Sequence, residues 1–127
     1  MLINCTNHPY KLWSEPMREA AGNYGEVVDL PYPQIDPLMT PDELRATVDT
    51  TFDRILALGG DTVLAAGEFT SLFMLVDRLL QAGIKVLSAC SRRETEETLQ
   101  SDGSNVKTAV FRFEQFRTYE YYEKGRK

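Results

Sequence analysis

The stretch TPDELRATVDTTFDRILALGGDTVLAA, Thr40 to Ala66, decides the fold. Thr40-Pro41-Asp42-Glu43 is a capping box with proline at the first helical position. Leu44, Val48, Phe52, Ile55 and Leu56 then recur at helical spacing until Gly59-Gly60 closes the helix. Thr62 to Ala66 is a short apolar run without polar alternation, as a strand covered on both faces requires. A helix feeding directly into such a strand is the repeating unit of a parallel sheet. Working outward, Gly67-Glu68-Phe69-Thr70 turns into a helix from Ser71 to Ala82, Gly83 ends it, and Ile84 to Ala89 is the next strand. Ser91-Arg92-Arg93-Glu94 has the form of a second capping box and predicts a short polar helix to about Gln100. Ser101 to Ser104 is a turn, and Val106 to Phe113 a last strand. Upstream, Leu2 to Cys5 is a short strand and Thr6 to Tyr10 a loop. Ser14 starts a helix through Tyr24 that stops at Gly25, Glu26 to Leu30 is a strand, and Pro31, Pro33 and Pro37 stiffen the loop after it.

This alternation predicts one α/β domain over residues 1–127, a three-layer Rossmann-like sandwich around a mainly parallel sheet with helices on both faces. Hydrophobic residues are 43% of the 127 and charged residues 26%, a globular balance that can bury a core without a disulfide or metal. The longest apolar stretch, Leu72 to Val76, is far below the roughly 20 residues that span a bilayer, so no membrane partner is expected. MLINCTNHP carries no basic n-region or cleavage site, and Cys5 and Cys90 fit a reduced compartment, so the expected location is the cytoplasm. Two cysteines without ligand spacing and a single histidine predict no metal, and no cofactor is expected. A net charge of −5 excludes a general coat for long nucleic acid, so an anionic ligand must be held locally.

In a doubly wound sheet, ligands sit beyond the carboxyl ends of the strands. Four loops are expected there: Thr6-Asn7-His8-Pro9, Leu30-Pro31-Tyr32, Gly67-Glu68-Phe69-Thr70 and Cys90-Ser91-Arg92-Arg93. His8, the only histidine, is either a proton acceptor or a turn residue bonded to backbone. Gly67 permits close approach to a ligand, and Thr70 and the first amides of the following helix can hold an anion. Glu68 either bonds an adenine amine or ribose hydroxyl or complements the helix dipole. Ser91, Arg92 and Arg93 combine a hydroxyl, helix amides and guanidinium groups into a phosphate cradle, or else form a solvated cap whose arginines pair with Glu96 and Glu97. No Walker A loop and no G-x-G-x-x-G fingerprint is present. The aromatic tail Phe111, Phe113, Phe116, Tyr119, Tyr121 and Tyr122 reads as core or subunit interface.

Asn4-Cys5-Thr6-Asn7-His8-Pro9, Gly67-Glu68-Phe69-Thr70 and Ala89-Cys90-Ser91-Arg92-Arg93, with the closing Phe-Arg-Phe-x-x-Phe-Arg-x-Tyr of residues 111–119, carry a family resemblance. The chain resembles the small single-domain ancillary proteins of type III CRISPR systems, which are similar to CRISPR-associated Rossmann fold (CARF) domains. The resemblance implies binding of a cyclic oligoadenylate messenger in antiviral defence, with cyclic tetra-adenylate the expected ring. The implied ligand-binding residues are Thr6, Asn7, His8, Gly67, Glu68, Phe69, Thr70, Ser91, Arg92 and Arg93. Sequestration of the ring is the leading expectation. A metal-independent ring nuclease is the alternative, in which a ribose 2′-hydroxyl attacks in line, His8 or Glu68 takes the proton, and Arg92 or Arg93 stabilises the phosphorane. A small nucleotide- or nucleoside-processing enzyme is the reading outside the resemblance. The symmetry of the ring predicts a homodimer or larger homo-oligomer.

Overall fold

A computed structural model describes residues 1–125 of the chain. The elements run β1 (Leu2–Cys5), α1 (Glu15–Ala21), β2 (Val27–Asp29), α2 (Pro41–Leu58), β3 (Thr62–Ala65), α3 (Phe69–Gln81), β4 (Lys85–Leu99) and β5 (Asn105–Thr118). They form a five-stranded sheet in the order β2-β1-β3-β4-β5, parallel except for the antiparallel β4–β5 pair. The fold is therefore α/β and Rossmann-like, as the alternation predicts.

The α2 capping box forms as read: the Glu43 amide donates to Thr40 Oγ1 and the Thr40 amide to Glu43 Oε1, each at 3.2 Å. Gly59 closes the helix at φ +74°, a left-handed conformation that glycine adopts without a Cβ penalty. Leu44, Val48, Phe52 and Ile55 are buried, whereas Leu56 lies on the solvent side at 50% exposure and leaves the expected core stripe. The helix after β3 begins at Phe69, two residues earlier than expected. Arg78 of α3 pairs with Asp49 of α2 and lies over the Phe52 ring, its guanidinium carbon 4.2 Å from the centroid.

Neighbouring residues of each central strand point to opposite faces. Ile3, Val63 and Val86 join α2 and α3 in one core cluster, while Leu2, Leu64 and Leu87 meet Trp13 and α1 in the other. Helices thus cover both faces of the sheet.

The largest departure from the sequence reading follows Ala89. No helix forms over 91–100; β4 continues through Leu99 and returns as β5, paired from Leu87–Thr118 to Leu99–Asn105. The segment from Glu94 to Gln100 has no apolar stripe to bury, so a helix there would have nothing to pack. As a strand it gains a complete ladder and cross-strand ion pairs instead, with Arg112 bound to Glu94 and Glu96 (both 2.7 Å) and Lys107 to Glu97 (3.5 Å). Gly103, at φ +88°, permits the turn. The last strand is consequently antiparallel and begins at Asn105. Since β3 pairs with β4 no further than Leu87, the hairpin extends past the carboxyl edge of the parallel strands as a two-stranded arm.

A bulge sets the arm on the body. Cys90 pairs with Gln115 and Ser91 with Phe113, leaving Glu114 as an extra residue in β5. The inserted residue changes the alternation, so that Phe113 and Phe116 both pack on the α1 face, with centroids 4.9 Å apart.

Candidate functional site

The loop after β1 is tied down by Asn4, which is 1% exposed. Its amide donates to the His8 carbonyl and to Asp29 Oδ1 at 2.9 Å each, and its Oδ1 accepts from Thr6 Oγ1 at 2.7 Å. A buried amide left without these partners would be costly, so the network fixes the loop. The His8 carbonyl also accepts from Trp13 Nε1 at 2.9 Å, and the His8 amide donates to Thr6 Oγ1 at 3.1 Å. Asp29, at the end of β2, accepts from the Tyr10 amide as well. The backbone of His8 is therefore held from three sides while its imidazole, like the side chain of Asn7, is exposed. Cys5, beside this network, is buried, and burial pushes its thiol up to about 11, which keeps it protonated and unreactive near neutrality.

The loop after β3 has a different logic. The Glu68 carboxylate caps α3, accepting from the amides of Thr70 and Ser71 (2.9 Å each) and from the Thr70 hydroxyl (2.8 Å). These bonds, the Ser71 and Thr70 amides foremost, hold its pKa down to about 2. The position where a ligand anion was expected is thus filled by the chain's own carboxylate. Gly67 is required by Tyr32, because a Cβ there would lie 2.3 Å from the aromatic ring. Tyr32, 4% exposed, reaches its hydroxyl to Ser71 Oγ at 2.9 Å, and burial raises its pKa while the Ser71 bond opposes that shift. Phe69 stands beside this cap, 86% exposed.

Ser91, Arg92 and Arg93 lie on the arm, where their amides belong to a strand and cannot serve as a helix terminus. Alternation places Ser91 and Arg93 on one face and Arg92 on the other. Arg92 Nε binds Glu114 Oε1 at 3.1 Å. At the arm's root, Cys90, Ser91, Arg92, Glu114, Gln115 and Arg117 line an open groove of about 520 Å³. It sits beyond the carboxyl end of the parallel part of β4. Among the described residues no ion pair engages Arg117 or Arg93.

Of the expected site, the structure joins Thr6 to His8, and Glu68 to Thr70; no hydrogen bond or ion pair among the described residues links His8 to Glu68, Arg92 or Arg93. Asn4, Asp29, Gln115 and Arg117 are not among the residues that motif reading assigns to the site, and Tyr32, on one of the four expected loops, is given no role there. The signal for Arg117 lay in the run from Val106 to Arg117, whose β-prone residues after a Gly-containing turn mark a hairpin return. Among the described residues, no helix is long and apolar enough to cross a membrane.

The model of one family, described as the Uncharacterized protein MJ1673 family, matches residues 1–117, from β1 to the penultimate residue of β5. No curated protein matches the chain.

Proposed function

The chain belongs to the MJ1673 family, and from that premise and the groove at the arm's root we propose that it binds a cyclic oligoadenylate, cyclic tetra-adenylate above all, and withdraws it from solution without cutting it. The resemblance to type III CRISPR ancillary proteins supplies the ligand class. The observation that carries the reading is Arg117, a guanidinium without an ion-pair partner among the described residues, in a groove it shares with Arg92 beyond the carboxyl end of the parallel part of β4. A volume of about 520 Å³ lies within the range of small-molecule sites, enough for part of a ring to enter while the remainder stays outside. A guanidinium bonds phosphate oxygens in pairs and keeps its charge at every relevant pH, which suits it to a protein whose net charge is −5.

Two features favour sequestration over cleavage. In-line attack needs a base near the 2′-hydroxyl, and a carboxylate held near 2 by its own helix is a poor one. The other candidate, His8, has no carboxylate partner to orient its ring among the described residues. Its exposure at the end of β1 is the observation that keeps the nuclease reading testable.

The test is a binding titration with labelled cyclic tetra-adenylate and a product assay on the same samples. Arg117→Ala is expected to weaken binding by about tenfold to a hundredfold, since a charge-assisted bond contributes roughly 1.5–3 kcal/mol. Arg92→Ala is expected to cost less, because Glu114 already neutralises that side chain, and Glu114→Ala to tighten binding by releasing it. The ring should remain intact with wild type and His8→Ala alike. Product formed by wild type and lost in His8→Ala would establish the nuclease instead, and unchanged affinity in both arginine variants would overturn the site.

A further inference from the structure

We propose that the outer edge of the arm, Asn105 to Phe113 of β5, pairs antiparallel with the same segment of a second copy, joining two sheets through a twofold axis at Ala109. The inference is independent of the ligand reading and its test needs no ligand.

β5 is the edge of the sheet, so one row of its amides and carbonyls has no partner strand among the described residues. Proteins protect such edges with proline, bulges, inward charges or short length. Over Asn105–Phe113 there is no proline, the only irregularity is the bulge at Glu114 beyond it, and the run KTAVFRF is strongly β-prone. Phe111 is 67% exposed and Val106 45%. The basic side chains of this segment are already neutralised by the arm's own β4, Lys107 by Glu97 and Arg112 by Glu94 and Glu96. Two such edges therefore meet without net repulsion. A lone two-stranded ribbon is also marginal in water, and the arm reaches past the body with both faces largely exposed.

The register follows from the segment's limits. The turn at Ser104 and the bulge at Glu114 bound nine residues, Asn105 to Phe113, whose midpoint is Ala109. Full antiparallel overlap places Ala109 opposite its own copy, Lys107 opposite Phe111 and Arg112 opposite Val106. No like charges face each other, and each Lys107 ammonium meets an exposed aromatic ring, a favourable contact. A second copy fits this edge better than a foreign strand because both halves of every such pair come from one sequence.

Light scattering on the full chain without ligand is expected to give a dimer. Phe111→Lys sets an ammonium opposite Lys107 on both sides of the axis and should weaken the dimer about tenfold or more, with an unchanged far-ultraviolet spectrum. In a Cys90→Ser background, Ala109→Cys should cross-link copies on mild oxidation, while Val106→Cys, which faces Arg112, should not; this arm keeps the proposal testable should Phe111→Lys misfold. A monomeric wild type across micromolar to submillimolar concentrations, a dimer unaffected by Phe111→Lys, or equal cross-linking at 106 and 109 would each overturn the proposal.

Discussion

Gly67 has no side chain because Tyr32 occupies the place where one would go: a Cβ would meet that ring at 2.3 Å. Gly67→Ala is expected to destabilise the fold by about 1–3 kcal/mol, the range of core overpacking. The loss should shrink sharply in a Tyr32→Ala background if the ring is the cause, which chemical denaturation of the four proteins in the cycle measures. Glu68 leaves a pH signature. Its folded-state pKa, about 2, lies below the ordinary 4.5, so its stabilisation is fully present above about pH 4.5 and is lost as pH falls through 2. Wild type should therefore exceed Glu68→Gln in stability at neutral pH, and the difference should vanish on acidification; a constant offset across pH 2–7 would contradict the capping role. At this scale the sequence was half legible. Gly67 and Glu68 stood out as special, and the amides that Glu68 binds are local, two and three residues on, whereas the ring above Gly67 is brought there by folding from Tyr32, 35 positions earlier.

The two capping-box sequences separate at the scale of elements. Thr40 to Glu43 is followed by Leu44, Val48, Phe52 and Ile55, a stripe that α2 buries. Ser91 to Glu94 is followed by charges and threonines, and the strand pairing wins because helix signals at a terminus contribute less than a whole ladder with its ion pairs. The Glu114 bulge is the second decision made here. It lets Phe113 and Phe116, three positions apart, share the α1 face, and Phe113→Ala removes one of the two rings from that core. Thermal or denaturant unfolding of that variant should show a loss of about 1–2 kcal/mol, part of the roughly 1.5–3 kcal/mol of a fully buried large apolar side chain, because Phe113 is half-buried. An unaffected stability would mean that Phe113 adds nothing to the α1-side core. The aromatic tail, readable as core or interface, is divided by this device: Phe113 and Phe116 pack inward, and Phe111 remains outside.

For the molecule as a whole, stability should be uneven. Amides of β1, β3 and the start of β4 lie between two helical layers and should exchange with solvent last, whereas those of the arm from Glu94 to Val110 should exchange early. Raising the protein concentration should protect the arm selectively if its edge pairs with a second copy, and hydrogen exchange followed by mass spectrometry reads both effects. The sequence by itself determined the parallel body. Apolar runs such as Val63-Leu64-Ala65 can be satisfied only between two layers, and the stripe of α2 and the stops at Gly59 and Gly83 are local properties of the chain. Only the tertiary structure decided the fate of residues 91–100 and the antiparallel direction of the strand that follows them. The capping-box form of residues 91–94 points to a helix, whereas the ladder with β5 is non-local and its ion pairs, Glu94 and Glu96 with Arg112 and Glu97 with Lys107, join residues 10 to 18 positions apart that no local pattern records.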